Sequence, residues 1–355
     1  MRAWIFSCLL LAAPVLAEQI DPRVYRALDD ARAAEQGGDQ AAARLQLQAA
    51  LPASAEGSLE RALLQQRLAY MAIDAGDAEH AIHWLRESLN QHALGAEVEA
   101  QDRANLARLL MQQQRYRQAV VELEQLPTSD ASRELLVQAY RELGEFSKAL
   151  PLAEQVVRRR PEAGDIWYQL LVGMNYEIKR YSEAARWQQV LLTRAPDNRA
   201  NWRQLASLQS LAGQQAKAAA TMRLAQLAGV GLTPGDMETL VALHTRAGAP
   251  WQAARLLEQL LSDRLLDSTL ERQRQLAQLW QAARDYPQAL ELWLRVAAAS
   301  GQSADRLQVA WLQYQQEQWQ ALLATLRGFQ PPGTVQRNQV NLLRTLAEQA
   351  LEVAQ

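Results

Sequence analysis

Cysteine is nearly absent from this 355-residue chain, which contains a single one, Cys8. Once the leader described below is removed, the chain keeps no disulfide, thiolate ligand or cysteine nucleophile. A basic surplus is also missing, because the formal net charge is -2. Nucleic-acid binding requires a clustered positive field, so this balance does not favour it. The longest basic run is Arg158-Arg159-Arg160, and we interpret it as a solvated helix end.

Motifs that carry chemistry are absent as well. The sequence has no glycine-rich phosphate loop after a strand and no Gly-x-Ser-x-Gly turn. His80 and His83 could begin a metal site, but no third ligand lies nearby, and solvent-facing histidines are the simpler interpretation. His244 lies within a helical pattern and is expected to pack. We therefore predict no cofactor and no metal, and an enzyme is the weakest of the functional classes considered.

The N-terminus is typical of a secretory signal peptide. A basic start, Met1-Arg2, precedes an apolar run from Trp4 to Ala13, and small residues follow up to Ala17. This pattern predicts cleavage after residue 17, so that residues 1–17 leave the mature chain. The run is too short to span a membrane comfortably. An uncleaved anchor and a lipid on Cys8 are the alternatives.

Strand patterns are scarce, whereas helix-favouring leucine, alanine, glutamine and arginine dominate. Within this helical sequence one alanine recurs about every 35 residues, and a leucine replaces it in the last repeat. We call this the marker position. Its occupants are Ala43, Ala81, Ala119, Ala149, Ala184, Ala218, Ala253, Ala289 and Leu322.

A second pattern keeps the same register. From the second repeat on, the position thirteen residues before the marker holds a large aliphatic: Leu68, Leu106, Leu136, Leu171, Leu205, Leu240, Leu276 and Val309. The next position holds a small or medium residue: Ala69, Ala107, Val137, Val172, Ala206, Val241, Ala277 and Ala310. We expect the large residue to fill the space between two crossing helices, while its small neighbour and the marker allow the backbones to approach.

Other recurring residues mark the ends of the helices. Five repeats have glycine five residues before the marker, suited to a helix end: Gly38, Gly76, Gly144, Gly213 and Gly248. Five have an aromatic three residues before it, expected to cover the small core: Tyr116, Phe146, Tyr181, Tyr286 and Trp319. Pro161 and Pro196 are expected to stop a second helix and begin the next repeat.

These patterns predict an all-α fold, a right-handed α-solenoid of about nine helix-turn-helix units with a C-terminal capping helix. The expected organisation is a signal peptide (1–17), an irregular N-terminal repeat or cap (18–58), the repeat array (59–330) and the capping helix (331–355). Asp30 occupies the large aliphatic position of the first repeat, which is why that repeat is expected to be irregular. Solenoids need such end caps for solubility.

The repeats resemble the tetratricopeptide repeat (TPR) superfamily, whose unit has about 34 residues. A narrower resemblance is carried by WYQLLVGMNYEIKRYSEA at 167–184, by its continuation APDNRANWRQLASLQSLAGQQAKA, and by TRAGAPWQAARLL at 245–257. These stretches are similar to periplasmic TPR proteins encoded beside TonB, ExbB and ExbD in some proteobacteria. The resemblance implies a periplasmic accessory component of TonB energy transduction, and it carries no catalytic residues. The surface rich in arginine and glutamine and the shortened fourth unit depart from that pattern.

The concave groove of such a solenoid is lined by the first helices of the repeats and is the candidate binding surface. A mixture of aromatic, arginine and glutamine residues suits a polypeptide ligand. Counting from the markers selects nine candidate residues: Tyr70, Arg108, Gln138, Arg141, Gln169, Tyr176, Arg203, Trp311 and Tyr314. The same count also places there Gln66, Asp74, Gln112, Glu134, Ser207, Arg274 and Gln278. Ordinary solvated side chains are the simpler interpretation for each one taken singly, and the last helix could cover Trp311 and Tyr314.

The sequence therefore predicts a periplasmic adaptor that binds another protein, with the periplasmic part of TonB or an associated component as the expected partner. No nucleic acid and no direct membrane insertion after signal cleavage are expected. The rival interpretation is a cell-envelope scaffold for peptidoglycan or polysaccharide assembly.

Overall fold

The computed structural model describes residues 20–353. This range contains nineteen α-helices and no strand. The helices are α1 (Pro22–Gln36), α2 (Gln40–Ala50), α3 (Leu59–Asp74), α4 (Ala78–Asn90), α5 (Ala96–Gln112), α6 (Tyr116–Glu124), α7 (Asp130–Glu142), α8 (Phe146–Arg159), α9 (Asp165–Glu177), α10 (Tyr181–Arg194), α11 (Arg199–Leu211), α12 (Gln215–Leu227), α13 (Pro234–Arg246), α14 (Pro250–Ser262), α15 (Leu270–Ala282), α16 (Tyr286–Ser300), α17 (Ser303–Gln315), α18 (Trp319–Leu326) and α19 (Thr334–Val353). A short 3-10 turn, Leu51–Ala53, follows α2.

The described helices form two compact units, which meet in sequence between residues 178 and 179. Along the chain, odd-numbered helices up to α17 are the first helices of nine repeats and even-numbered ones are the second helices. The fifth pair, α9 and α10, is divided between the two units. Within each unit, every helix packs mainly against the helices before and after it. The predicted all-α helical-repeat fold is thus confirmed, whereas the predicted signal peptide lies outside the described residues.

Many helices begin at a side chain that caps them. Ser58, Asp77 and Thr269 each accept a hydrogen bond from a backbone N–H in the first turn of the following helix. At α13, Thr233 and Asp236 bond reciprocally in a capping box. These bonds satisfy N–H groups that have no partner inside the helix, and so they fix where each first or second helix starts.

The helix crossings follow the predicted register. All nine marker residues are fully buried, with no exposed surface. The small residue twelve positions before each marker is buried in all eight repeats where it was predicted. The large aliphatic thirteen positions before is buried in seven, and only Leu136 is half-buried. The helix before it, α6, has nine residues, so it leaves more of α7 uncovered than the longer second helices leave of their neighbours.

Every turn between the two helices of a repeat contains a residue in the left-handed conformation. The residue five positions before the marker has a positive φ in all nine repeats, between 56° and 84°. Five of these residues are the predicted glycines. The other four are Gln114, Lys179, Arg284 and Glu317, so the turn is preserved even where glycine is missing.

Helices at both ends of the described chain pack against the neighbouring repeat. Val340, Leu343 and Ala347 of α19 are buried in one cluster with Leu322 and Leu326 of α18. At the other end, Ala31, Ala43 and Leu47 of α1 and α2 join a buried cluster with residues of α3. Asp30 is exposed, as expected for a repeat without its large aliphatic. The capping roles of residues 18–58 and 331–355 stay predictions.

Candidate protein-binding face

The groove face consists of the residues that lie 15, 11, 8 and 7 positions before each marker. Residues spaced by three or four share one side of a helix, so these positions form a stripe along each first helix. All nine candidate residues belong to this stripe. Most of them are exposed, whereas Tyr70, Arg141 and Tyr314 are half-buried.

A buried aspartate connects the groove faces of α3 and α5. Asp102 of α5 has no exposed surface. Gln66 Nε2 donates to its Oδ2 at 2.6 Å and the Tyr70 hydroxyl donates to its Oδ1 at 2.6 Å. Asn105 Nδ2 in turn donates to the Tyr70 hydroxyl oxygen at 3.0 Å. The candidate residue Tyr70 is therefore already engaged by the neighbouring repeat.

The same connection recurs twice in the second unit. Arg203 Nε of α11 lies 3.0 Å from Asp236 Oδ1 of α13. Arg274 of α15 donates to both oxygens of Asp305 on α17, at 3.0 and 2.7 Å. Each aspartate lies 17 positions before the marker of its own repeat. One donor in each connection, Gln66, Arg203 or Arg274, lies 15 positions before the marker of the preceding repeat. We call these three connections the aspartate clips.

The three clips differ in electrostatics. Burial raises the pKa of Asp102, and the hydrogen bonds from Tyr70 and Gln66 do not fully offset it. Burial and the bond to Asp102 also raise the pKa of the Tyr70 hydroxyl. Asp102 lies in the interior of α5, and the negative charge of Glu99 also raises its pKa, which explains why its charged form is not favoured.

In the other two clips the charged carboxylate is favoured. The hydrogen bond from Arg274 holds the pKa of Asp305 below its ordinary value, against the effect of burial. For Asp236, burial acts to raise the pKa, but bonds from Thr233 and the charge of Arg203 outweigh it and the pKa is lowered. Both aspartates also lie in the first turn of a helix, where the helix dipole stabilises an anion.

The clips were missed by reasoning from the sequence, although a signal was present. Aspartate recurs 17 positions before three of the markers, at positions 102, 236 and 305. Gln66, Arg203 and Arg274 were predicted as ligand-facing donors because of their position on the stripe. The structure places them on the stripe and gives each one a partner in the next repeat.

The remaining candidates differ in their surroundings. Arg108 donates to Asn105 Oδ1 at 3.0 Å, and Arg141 pairs with the adjacent Glu142. Gln138 and Gln169 are exposed, and Tyr176 is 47% exposed. The structure thus brings Tyr70 and Arg108 close to a common neighbour, Asn105.

An aromatic cluster occupies the groove face at the last repeat. The rings of Trp311 and Tyr314 meet edge to face with centroids 5.7 Å apart. Tyr314 meets Trp319 of α18 in the same way, also at 5.7 Å. Trp311 keeps 37% of its surface exposed, so α19 leaves it accessible while the cluster holds it in place.

A cleft lies on the groove face of the second unit, between α11 and α13. It has a volume of about 570 Å³. Its walls include Arg203, Ser207 and Leu211 from α11, and Leu243 and Arg246 from α13. Such a volume is in the range of ligand-binding clefts, and its mixed lining suits a peptide better than a wholly apolar molecule.

The histidines have local surroundings. His80 Nδ1 lies 2.7 Å from Asp77 Oδ2, and the His83 ring contacts Trp84. His244 is half-buried, and burial lowers its pKa.

Residues 20–353 contain no group of three or more histidine, cysteine or acidic residues placed to hold a metal ion. Within the same residues, no helix has the length and apolar character needed to cross a membrane.

Comparison with known proteins shows the fold. No protein family matches the sequence, and no curated protein is similar enough to match it. The structure of Naa15/Naa10 bound to HypK-THB is similar over 75% of this chain, with 14% identity and a TM-score of 0.50. This chain spans 39% of that longer one.

Two shorter structures align less closely. A tetratricopeptide repeat protein from Parabacteroides merdae has 15% identity and a TM-score of 0.35, covering 67% of this chain and 93% of its own. MamA from Desulfovibrio magneticus RS-1 has 16% identity and a TM-score of 0.35, covering 48% of this chain and 94% of its own.

Proposed function

We propose that this chain is a protein-interaction scaffold of the tetratricopeptide type, and that its groove face binds a polypeptide segment. The observation that carries the proposal is the aromatic cluster at the last repeat. Trp311 stands partly exposed on a stripe that is otherwise mostly polar, and Tyr314 and Trp319 fix its orientation. Buried aromatic anchors on a preorganised surface dominate the energetics of many protein interfaces.

The comparison with Naa15 adds support at the level of the fold. A similar helical stack there takes part in a complex of several protein chains. We extend the proposal to the periplasm because the first 17 residues read as a signal peptide, and to TonB-dependent uptake because of the stretches at 167–184 and 245–257. The proposed partner is the periplasmic part of TonB or an associated component. Intact-mass measurement of the periplasmic protein tests the export step, since it should lack residues 1–17.

The binding proposal is tested by affinity capture from periplasmic extract, followed by identification of the captured proteins. Trp311→Ala and Tyr176→Ala should each weaken capture of the partner, by about thirty-fold for a true anchor. Helical content should not change, and the loss of thermal stability should be small, because both side chains lie at the protein surface and are partly exposed. The matched control is Trp251→Ala, which removes an exposed tryptophan at the start of the second helix α14, off the groove face.

Three outcomes contradict parts of the proposal. If capture survives both groove substitutions, the groove face is not the binding surface. If cells that lack the protein grow normally on a siderophore as the sole iron source, the link to TonB fails even though the chain can still be a scaffold. Capture of peptidoglycan or polysaccharide assembly proteins instead of TonB components would favour the rival scaffold.

A further inference from the structure

The cleft between α11 and α13 has two chemically different ends. At the end near the start of α13, Arg203 pairs with Asp236, so this cation is already neutralised. At the other end lies Arg246, in the last turn of α13. Ten residues of α-helix separate Asp236 from Arg246, which corresponds to about 15 Å.

Arg246 differs from the other arginine of the cleft because its charge is unpaired. It is exposed and forms no ion pair with any residue in the described part of the chain. The charged residues of the lining are two arginines and one aspartate. Asp236 pairs with Arg203 and also, at 4.0 Å, with Arg199 outside the lining. Among the charged residues of the lining, Arg246 is therefore the one without an ion pair in the described part of the chain.

An exposed apolar side chain is part of the same cleft lining. Leu211, in the last turn of α11, is 48% exposed. Leu243 of α13 and Met222 of α12 also line the cleft, but they are almost fully buried, with 3% and 1% exposed. Leu211 is therefore the one of these three side chains that a ligand could cover.

We infer that this cleft binds a peptide segment in which an acidic side chain lies next to a large apolar one. The carboxylate pairs with Arg246, and the apolar side chain covers Leu211. Charge complementarity selects this occupant, because a basic segment would meet the uncompensated Arg246. The inference rests on the proposed binding of polypeptides. It adds the chemical character of the peptide and the repeats that contact it.

A peptide-display selection on the purified full chain tests this inference. Random peptides of about ten residues are longer than the cleft in extended form. Selection on the wild-type protein should enrich peptides with Asp or Glu beside Leu, Ile or Phe. Their affinity, measured by fluorescence anisotropy, should fall by roughly ten-fold or more in Arg246→Glu and less in Arg246→Gln, since charge-assisted hydrogen bonds are the strong ones.

The matched control is Arg255→Glu, which makes the same charge change at an exposed arginine of the second helix in the same repeat. It should leave the affinity unchanged, and selection on Arg246→Glu should enrich basic peptides instead. Equal affinity for wild type and Arg246→Glu would overturn the inference.

The same peptides separate the two proposals. If they lose affinity for Trp311→Ala but not for Arg246→Glu, the scaffold proposal stands and the cleft inference fails. If no peptide is enriched, both fail.

Discussion

Arg284 adopts a backbone conformation that glycine provides in five other repeats. Its φ is 61°, and its side chain is exposed. In the left-handed region the Cβ of an L-residue approaches the following carbonyl oxygen, which costs about 1–2 kcal/mol. The turn survives because the helices on both sides are held by their buried crossings, at Leu276, Ala277 and Ala289. A strained residue therefore persists where the surrounding packing determines the backbone.

We expect Arg284→Gly to stabilise the second unit by about 1 kcal/mol, because glycine removes this steric cost. Urea unfolding followed by circular dichroism measures the change. Gln275→Gly is the matched control. It places glycine at an exposed position inside α15, where it should destabilise by a similar amount. An Arg284→Gly variant that is no more stable than the wild type would contradict the strain argument.

Two of the kinds of contact between the helices of this fold are the apolar helix crossings and the aspartate clips. The crossings could be predicted from the sequence, because the residues that make them keep fixed distances along one repeat. The clips were not predicted, although aspartate recurs 17 positions before three markers, because each clip joins residues more than thirty positions apart on different repeats. Their prediction requires knowing which first helices are neighbours and how far each side chain reaches. For this reason the groove positions of Arg203 and Tyr70 were predictable, whereas their partners were not.

The clips predict opposite effects of pH on stability. Asp305 has a folded-state pKa below its ordinary value of 3.8. Its charged form therefore stabilises the folded state above that pH, and the stabilisation is lost as the pH falls through the folded pKa. Asp102 has a raised pKa, so the folded state binds its proton more tightly. Its contribution to stability is greatest in acid and decreases as the pH rises through the raised value.

We therefore expect the stability difference between wild type and Asp305→Asn to be largest near neutral pH and to shrink in acid. The stability difference between wild type and Asp102→Asn should instead be largest in acid and shrink as the pH rises towards neutral. Urea unfolding over the range from about pH 3 to pH 7 measures both. If the two differences change in parallel with pH, then the electrostatic distinction between the clips is wrong.

At the scale of the whole molecule, the chain is a series of repeats in which contacts are mostly between neighbours. In such proteins stability is approximately a sum of local terms, and unfolding can begin in one repeat. Leu205 is 1% exposed at a crossing of the sixth repeat. Truncation of this side chain should therefore destabilise its own repeat and the adjacent repeats first.

We expect Leu205→Ala to cost about 2–5 kcal/mol, with loss of hydrogen-exchange protection concentrated in α11 and α12. Leu136→Ala is the matched control. It makes the same substitution at the same repeat position, where the side chain is only half-buried, and it should cost less. Uniform loss of hydrogen-exchange protection over both compact units would contradict local unfolding. An equal loss of stability in the two variants would contradict it as well.

The constant turn has a consequence for where this chain can change in length. Between the left-handed residue and the marker the spacing is the same in all nine repeats. From a marker to the next left-handed residue it varies, as the stretches 81–114 and 119–144 show. We therefore expect insertions and deletions to be tolerated in the joints between repeats, and a loop or a fused domain placed there to leave each helix pair intact. One extra residue between Gly213 and Ala218 would instead rotate a whole second helix by about 100° and expose its buried side.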